Sequence, residues 1–244
     1  IFLIIMSIII FAKCSSIIGL LMAISKEIEI KCLLGEESNA NAFREKVLAK
    51  YPNAKVLPKT SQLNHYFING DFKLLQEKIT PFLNDEQNKT LAEIIERGSN
   101  FSLRTRSVDG RVLLVVKASL GSDTSANGVS RMEFEEPVNM TLDELDKLLE
   151  EAGFKYQAKW SRERVEYVLP NMNITLDKNA GYGYLTEFET VIGDDADVEK
   201  TRATLMQEIE SFGLEELPQE RKERMFAYYN EHWPENNGTE KTWT

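Results

Sequence analysis

The chain has 244 residues, of which 42% are hydrophobic and 28% are charged, and its formal net charge is −10. This composition is typical of a soluble globular protein and excludes a largely disordered chain. The acidic balance argues against a general nucleic-acid-binding protein, because duplex binding depends on a cationic surface. Two cysteines, Cys14 and Cys32, are too few for a disulfide scaffold, so we expect a cytoplasmic protein.

Residues 1–23 form an apolar segment that is long enough to cross a bilayer. The segment lacks the basic start and the small-residue cleavage site of a signal peptide, and Lys13 lies near its middle. We therefore expect it to lie outside the fold, with Met22 opening the functional protein. A membrane anchor is the less favoured interpretation.

The first half of the chain combines strand and helix patterns. In chain order we predict a strand at 26–34, a helix at 38–50, a strand at 62–68, two helices within 71–97, and paired strands at 101–107 and 111–119. Ser38 is the expected N-cap of the first helix. The Asp109-Gly110 turn predicts a type I′ hairpin. The helical segment 71–97 is interpreted as an insertion.

The second half of the chain also combines strand and helix patterns. We predict a strand at 129–138, a helix at 141–151, strands at 156–169, 173–177 and 184–192, and helices at 194–212 and 218–231. Thr141 and Glu144 have the spacing of a capping box, and Asp194 is the expected N-cap of the next helix. These elements indicate an α+β fold whose antiparallel strands close on themselves to remove edges.

The domain organisation follows from these elements. We expect one domain over 24–234, with the insertion at 71–97, C-terminal helices at 194–231 and a polar tail at 235–244.

The first predicted strand alternates charged and apolar residues in the order Glu27-Ile28-Glu29-Ile30-Lys31. Side chains two apart on a strand share a face at a spacing of roughly 6.5 to 7 Å. Two carboxylates at this spacing can each give an oxygen to one Mg²⁺, which keeps its other positions for water and phosphate. Carboxylates in the same phase recur near the end of the chain, at Asp177, Glu187 and Glu189.

Basic residues follow the same alternation: Arg104 shares a face with Arg106, Arg162 shares one with Arg164, and three further residues are in phase with the charged side of their strands. The basic residues are Lys31, Arg104, Arg106, Lys117, Arg131, Arg162 and Arg164. Guanidinium groups bind phosphate oxygens bidentately, and lysines act as point charges, so the set suits a triphosphate. For any single pair, the alternative is a solvated strand face with cross-strand ion pairs. The complete set favours an enclosed channel with a polar interior.

This ordered set resembles the CYTH family, also called the triphosphate tunnel metalloenzymes, which includes class IV adenylate cyclases, thiamine triphosphatases and inorganic tripolyphosphatases. The opening Glu-X-Glu-X-Lys signature is present as Glu27, Glu29 and Lys31, and the resemblance extends from about 26 to 192. It implies an α+β fold in which an eight-stranded antiparallel closed β-barrel forms a tunnel with a polar interior, flanked by helices.

The resemblance also implies which residues bind which ligand. Mg²⁺ or Mn²⁺ is expected on Glu27, Glu29, Glu133, Glu135, Asp177, Glu187 and Glu189. Triphosphate is expected on Lys31, Arg104, Arg106, Lys117, Arg131, Arg162 and Arg164.

One position departs from the family pattern. The sixth strand of the family typically carries Lys-X-Arg, with the lysine implicated in catalysis, whereas Arg162 and Arg164 occupy these positions here. Lys159 is nearby but in phase with the other face. Arginine is a poor proton-transfer group, because it keeps its proton near neutral pH. Arg162 and Glu29 are nevertheless the catalytic candidates.

The predicted function is divalent-metal-dependent hydrolysis of a small triphosphate: inorganic tripolyphosphate, a nucleoside triphosphate or thiamine triphosphate. Two alternatives stay open, a class IV-type adenylate cyclase that makes cyclic AMP from ATP and a non-catalytic module that binds polyphosphate or nucleotide. The expected partner is the small-molecule triphosphate, with no nucleic acid and no membrane contact. A homodimer is an open alternative.

Overall fold

The computed structural model describes residues 26–120, 131–193 and 196–236. The backbones of Glu27 and Arg131 belong to strands, but their side chains lie outside the described part of the chain. The apolar segment 1–23, the predicted N-cap Asp194 and residues 237–244 of the predicted tail also lie outside it. None of the described helices is long and apolar enough to span a membrane.

The described residues form strands and helices that alternate along the chain. The strands are β1 (Lys26–Gly35), β2 (Lys55–Val56), β3 (Thr60–Ile68), β4 (Gly98–Val108), β5 (Arg111–Leu120), β6 (Arg131–Pro137), β7 (Lys155–Val168), β8 (Asn173–Asn179) and β9 (Gly183–Ile192). The helices are α1 (Glu37–Lys50), α2 (Phe72–Ile79), α3 (Asp85–Arg97), α4 (Leu142–Glu151), α5 (Val198–Ser211) and α6 (Gln219–Asn236). A 3-10 turn at Thr80–Phe82 joins α2 to α3.

All nine strands belong to one antiparallel sheet in the order β1-β9-β8-β7-β3-β4-β5-β6, and β2 pairs with β7. The antiparallel α+β prediction is therefore confirmed.

The sheet is not closed, which differs from the eight-stranded closed barrel predicted from the sequence. Within the described residues, no ladder joins β1 to β6. The outer edge of β1 has a different partner, because the Leu217 backbone N–H donates to the Lys31 carbonyl at 2.7 Å. The segment before α6 thus covers a strand edge that closure would have required. The two-residue strand β2 was also missed, since it is too short to show alternation.

Two predictions of local structure, a turn and a capping box, are confirmed, and one prediction of a helix N-cap is wrong. Asp109 (φ 48°) and Gly110 (φ 85°) both have positive φ, as a type I′ turn requires. Thr141 and Glu144 form the predicted capping box of α4. Ser38, in contrast, lies within α1, whose N-cap is Glu36.

The N-cap of α5 is Asp197, whose carboxylate accepts a hydrogen bond from the Lys200 N–H at 3.0 Å.

Helices cover the apolar face of the sheet in two groups. Ile28, Ile30 and Phe188 pack with side chains of α1 and α5. Met132 and Phe134 pack with side chains of α2, α3 and α4. The strand residues between the charged positions are therefore buried beneath helices, and the charged face is turned away from both clusters.

One polar network lies on this helix-covered side. Asp146 of α4, only 2% exposed, accepts hydrogen bonds from Thr105 at 2.5 Å and from Tyr156 at 2.7 Å. The His65 Nδ1 atom lies 2.6 Å from Asp146 Oδ2, the oxygen that also accepts the hydrogen bond from Tyr156. The carboxylate thereby ties α4 to β3, β4 and β7.

Candidate active site

The charged face of the sheet surrounds a cavity of about 860 Å³. Directly paired residues of an antiparallel ladder project to the same face, and the register pairs Glu29 with Glu189 and Lys31 with Glu187. The cavity is lined by the predicted site residues whose side chains are described: Glu29, Lys31, Arg104, Arg106, Lys117, Glu133, Glu135, Arg162, Arg164, Asp177, Glu187 and Glu189.

Three carboxylates converge at one side of the cavity. One oxygen each from Glu29, Glu187 and Glu189 lies within 4.8 Å of the others. Two oxygens bound to one octahedral Mg²⁺ are about 3 Å apart when adjacent and about 4.2 Å apart when opposite, so these side chains would move closer together to share an ion. Carboxylate oxygens are the donors that Mg²⁺ and Mn²⁺ prefer. The residues present therefore fit a divalent metal.

Glu187 is the most strongly held of these carboxylates. It accepts a hydrogen bond from Lys31 Nζ at 2.6 Å and another from Arg164 Nη2 at 2.6 Å. Burial alone raises the pKa of Glu187, but the charges of Lys31 and Arg164 outweigh burial and hold this pKa well below its usual value. Lys31 also forms an ion pair with Glu29. Glu187 is therefore ionised throughout the neutral range.

Asp177 lies beside this group and is already engaged by cations. Arg164 contacts both of its oxygens at 2.7 Å, and Arg162 Nη1 lies 2.9 Å from one of them. Burial lowers the pKa of Arg164, but Glu187 and Asp177 together raise it further than burial lowers it. Asp177 thus orients two predicted phosphate-binding side chains, and the structure does not include it in the three-carboxylate group.

Strands β4, β5 and β6 bring a second charged group to the cavity. Lys117 Nζ lies 2.8 Å from Glu133, and Arg106 forms an ion pair with Glu135. The structure places Glu133 and Glu135 with these cations, apart from the three-carboxylate group. Burial and the neighbouring Arg104 lower the pKa of Arg106 to about 10.

Strand β3 supplies three uncharged polar side chains to the same face, and the site prediction did not include them. Gln62 accepts a hydrogen bond from Arg162 Nε at 2.8 Å, Asn64 accepts one from Arg106 Nε at 2.7 Å, and Tyr66 accepts one from Arg104 Nη1 at 2.6 Å. Because β3 lies between β4 and β7, its polar face lies between the two arginine pairs. The alternation of Gln62, Asn64 and Tyr66 was the available signal.

Helix α6 covers an aromatic end of the cavity. Trp160 lies 5.1 Å from Phe226 between ring centroids, and its indole N–H donates to Asn230 at 3.2 Å. Tyr182 and Phe226 also line the cavity. The polar interior expected from the sequence therefore gives way to an apolar wall at this end.

Lys159 does not line the cavity. Its Nζ lies 4.5 Å from the centroid of the Tyr156 ring, near Trp233. Of the two residues considered for the position of the family lysine, Arg162 is therefore the one that lines the cavity.

The comparisons with known proteins agree with this geometry. The profile of the CYTH domain matches residues 96–222, which is over half of the chain. The chain therefore belongs to the CYTH family, as the charged strand pattern predicted. A search of curated proteins found no match.

Two solved structures illustrate the shared fold. The PH1819 protein from Pyrococcus horikoshii OT3 is 22% identical with a TM-score of 0.55, and the match covers 79% of this chain and 93% of that one. A candidate adenylate cyclase from Vibrio parahaemolyticus is 19% identical with a TM-score of 0.55, and the match covers 83% of this chain and 98% of that one. At these identities the likeness shows the fold alone.

Proposed function

We propose that this CYTH protein is a divalent-metal-dependent phosphohydrolase that acts on a small triphosphate within the cavity. One observation carries the proposal: the Glu29, Glu187 and Glu189 carboxylates share a cavity with two arginine pairs. Carboxylates that fit a metal beside guanidinium groups that fit phosphate are the parts that phosphoryl transfer requires.

The basic side chains supply electrostatic stabilisation. Arg104, Arg106, Arg162 and Arg164 line one cavity and are held by partners in the sheet, so they are oriented before a ligand arrives. Guanidinium groups in this arrangement bind phosphate oxygens and stabilise the negative charge that develops on the leaving group. Arg162 is assigned this role and not proton transfer, because its guanidinium keeps its proton.

The acidic side chains supply the metal site. Glu29, Glu187 and Glu189 would hold Mg²⁺ or Mn²⁺, which when bound polarises a phosphate oxygen and orients the attacking water. Glu29 is assigned the catalytic role ahead of Glu187, because the Glu29 side chain is 31% exposed whereas that of Glu187 is only 8% exposed. The remaining predicted ligands are kept as proposals: Glu27, Glu133, Glu135 and Asp177. Arg131 is likewise kept as a proposed phosphate ligand.

Removal of the metal should abolish activity. The purified protein, incubated with tripolyphosphate, ATP or thiamine triphosphate, should release phosphate with added Mg²⁺ or Mn²⁺, and a chelator should suppress the release to the uncatalysed rate. Phosphate, pyrophosphate and cyclic AMP are measured in the same samples.

Each other outcome selects one of the alternatives. Cyclic AMP with pyrophosphate from ATP would identify a cyclase, in which the ribose hydroxyl replaces water as the nucleophile. Tight binding of tripolyphosphate without any product would identify a non-catalytic module. Phosphate release that a chelator leaves unchanged would contradict the assigned metal site.

A further inference from the structure

Tyr66 lies at the centre of the basic side of the cavity. In the ladder it is paired directly with Arg104 of β4 and with Ala158 of β7. Its ring packs edge-on against Trp160, with 6.1 Å between the ring centroids. Its hydroxyl oxygen accepts a hydrogen bond from Arg104 Nη1 at 2.6 Å. The phenol is therefore fixed in position at both its ring and its oxygen.

The Tyr66–Arg104 pair has hydrogen-bond donors without acceptors. A phenol donates one hydrogen bond as well as accepting, and no acceptor for the Tyr66 proton occurs in residues 26–120, 131–193 and 196–236. Arg104 Nε is buried and has no partner among the same residues. Buried donors in native proteins are nearly always satisfied. Arg104 Nε is thus a buried donor whose acceptor the described side chains do not supply, and Tyr66 beside it lines the cavity.

Arg104 also differs from the other cavity arginines in the charge of its partner. Arg106 pairs with Glu135, and Arg164 pairs with Asp177, so a carboxylate offsets each of these cations. Within the described part of the chain, the hydrogen-bond partner of Arg104 is the neutral phenol. The phenol orients the guanidinium without forming an ion pair with it, while Glu135 and Glu133 act on its charge from nearby.

We propose that Tyr66 and Arg104 form a binding point for one phosphate group of the ligand, in which the Tyr66 hydroxyl donates to a phosphate oxygen while Arg104 holds the hydroxyl and supplies the charge. The identity of the ligand as a triphosphate rests on the proposed function. The anion site itself rests on the Tyr66 hydroxyl proton and the Arg104 Nε, which have no acceptor among the described residues, and on a guanidinium whose direct hydrogen-bond partner there is a neutral phenol.

Electrostatics around the phenol give this site a pH dependence. The groups that face Tyr66 are Arg104 and Arg106 from β4, Arg162 from β7, and Tyr182 between β8 and β9. Burial raises the pKa of Tyr66, but the three guanidinium groups outweigh burial and lower this pKa below its ordinary value of 10. Ionisation removes the donated proton and adds a negative charge, so phosphate affinity should fall as Tyr66 ionises.

The test is the affinity of the full chain for tripolyphosphate without metal, measured by calorimetry for the wild type, Tyr66→Phe and Tyr228→Phe. A hydrogen bond to a charged group is worth enough to change affinity by roughly 10- to 100-fold. Tyr66→Phe should therefore bind roughly 10- to 100-fold more weakly. Tyr228→Phe removes a hydroxyl from a half-exposed tyrosine of α6 and should bind as the wild type does. Equal affinity of Tyr66→Phe and wild type would overturn the proposal.

A second measurement separates contact from structural support. In the wild type, bound tripolyphosphate should prevent the ionisation of Tyr66, which is expected below pH 10 in the free protein. Ultraviolet difference absorbance measures this ionisation. In Tyr66→Phe this ionisation should be absent, and kcat/KM should lose the corresponding alkaline decline. If tripolyphosphate leaves the wild-type ionisation unchanged, Tyr66 does not touch the ligand, whether or not Tyr66→Phe folds.

The two proposals can fail separately. Binding that depends on Tyr66 without any hydrolysis would refute the phosphohydrolase and keep the anion site. Hydrolysis by the wild type, together with unchanged affinity of Tyr66→Phe for tripolyphosphate, would refute the anion site and keep the phosphohydrolase.

Discussion

Glu189→Gln should reduce metal-dependent phosphate release by at least about 100-fold, because loss of even an outer-shell partner of a metal commonly costs 10–100-fold and Glu189 is assigned as a direct ligand. Glu189 suits this test because its recorded hydrogen-bond partner is the neutral amide of Asn173, at 3.1 Å. Replacing the carboxylate therefore removes no ion-pair partner from a cation among the described residues.

The stability of the same variant should change in the opposite direction. Glu29 and Glu189 face each other directly across β1 and β9, and like charges at such positions are destabilising. Without metal, Glu189→Gln should therefore melt at the same temperature as the wild type or slightly higher. With Mg²⁺ only the wild type should gain stability, since a ligand that binds the folded state raises its stability.

Glu163→Gln provides the matched control. Glu163 is on the other face of β7, is 41% exposed and pairs with Lys59. Surface ion pairs contribute little, so this variant should keep its activity and its response to Mg²⁺. Full activity of Glu189→Gln at limiting metal would remove the three-carboxylate group from the mechanism.

Asp146→Ala should lower the free energy of unfolding by about 3–5 kcal/mol, the usual cost of removing one partner from a buried charged network. The substitution leaves the hydroxyls of Thr105 and Tyr156 and the His65 ring without their shared acceptor on the helix-covered side of the sheet. Urea denaturation monitored by circular dichroism measures the effect. Glu151→Ala, at the exposed end of the same helix, should leave the free energy of unfolding nearly unchanged, because exposed ion pairs contribute little.

The pH dependence of stability gives an independent reading of the Asp146 network. Burial raises the pKa of Asp146, but its hydrogen bonds with His65, Thr105 and Tyr156 lower this pKa below its ordinary value of 3.8. A carboxylate with a depressed pKa stabilises the fold above its unfolded-state pKa, and this contribution is lost as the pH falls through the folded-state value. The stability difference between wild type and Asp146→Ala should therefore shrink below about pH 4. A constant difference at all pH values would show that packing causes the loss.

The charged face of the site could be predicted from the sequence because strand geometry is local. Side chains alternate between the two faces of a strand, so Glu29 and Lys31 share one face of their strand, and Glu187 and Glu189 share one face of theirs. This holds independently of the rest of the fold. The resemblance to the CYTH family was carried by the complete ordered set of these residues. The convergence of these faces on one cavity was expected from the complete set and from the resemblance, whereas the order of the strands was not predicted.

The missed features depend on contacts between distant segments. The bond from Leu217 to Lys31, which covers the edge of β1, leaves no periodic trace in either segment. Likewise, Gln62 and Asn64 look like ordinary solvated residues until β4 and β7 place arginines on either side of them. An isolated histidine such as His65 shows no partner until α4 is packed against β3.

The hydrogen bond that covers the edge of β1 connects the C-terminal region to the charged site. The Leu217 backbone N–H donates a hydrogen bond to the carbonyl of Lys31, and α6 begins two residues after Leu217. Lys31 is also the residue whose ammonium group neutralises Glu187. The segment before α6 is therefore attached to the backbone of the residue whose side chain neutralises Glu187. Because Asn230 and Tyr229 of α6 also form hydrogen bonds with Trp160 and Lys159 of β7, the same C-terminal region covers both the edge strand β1 and the strand that carries Arg162 and Arg164.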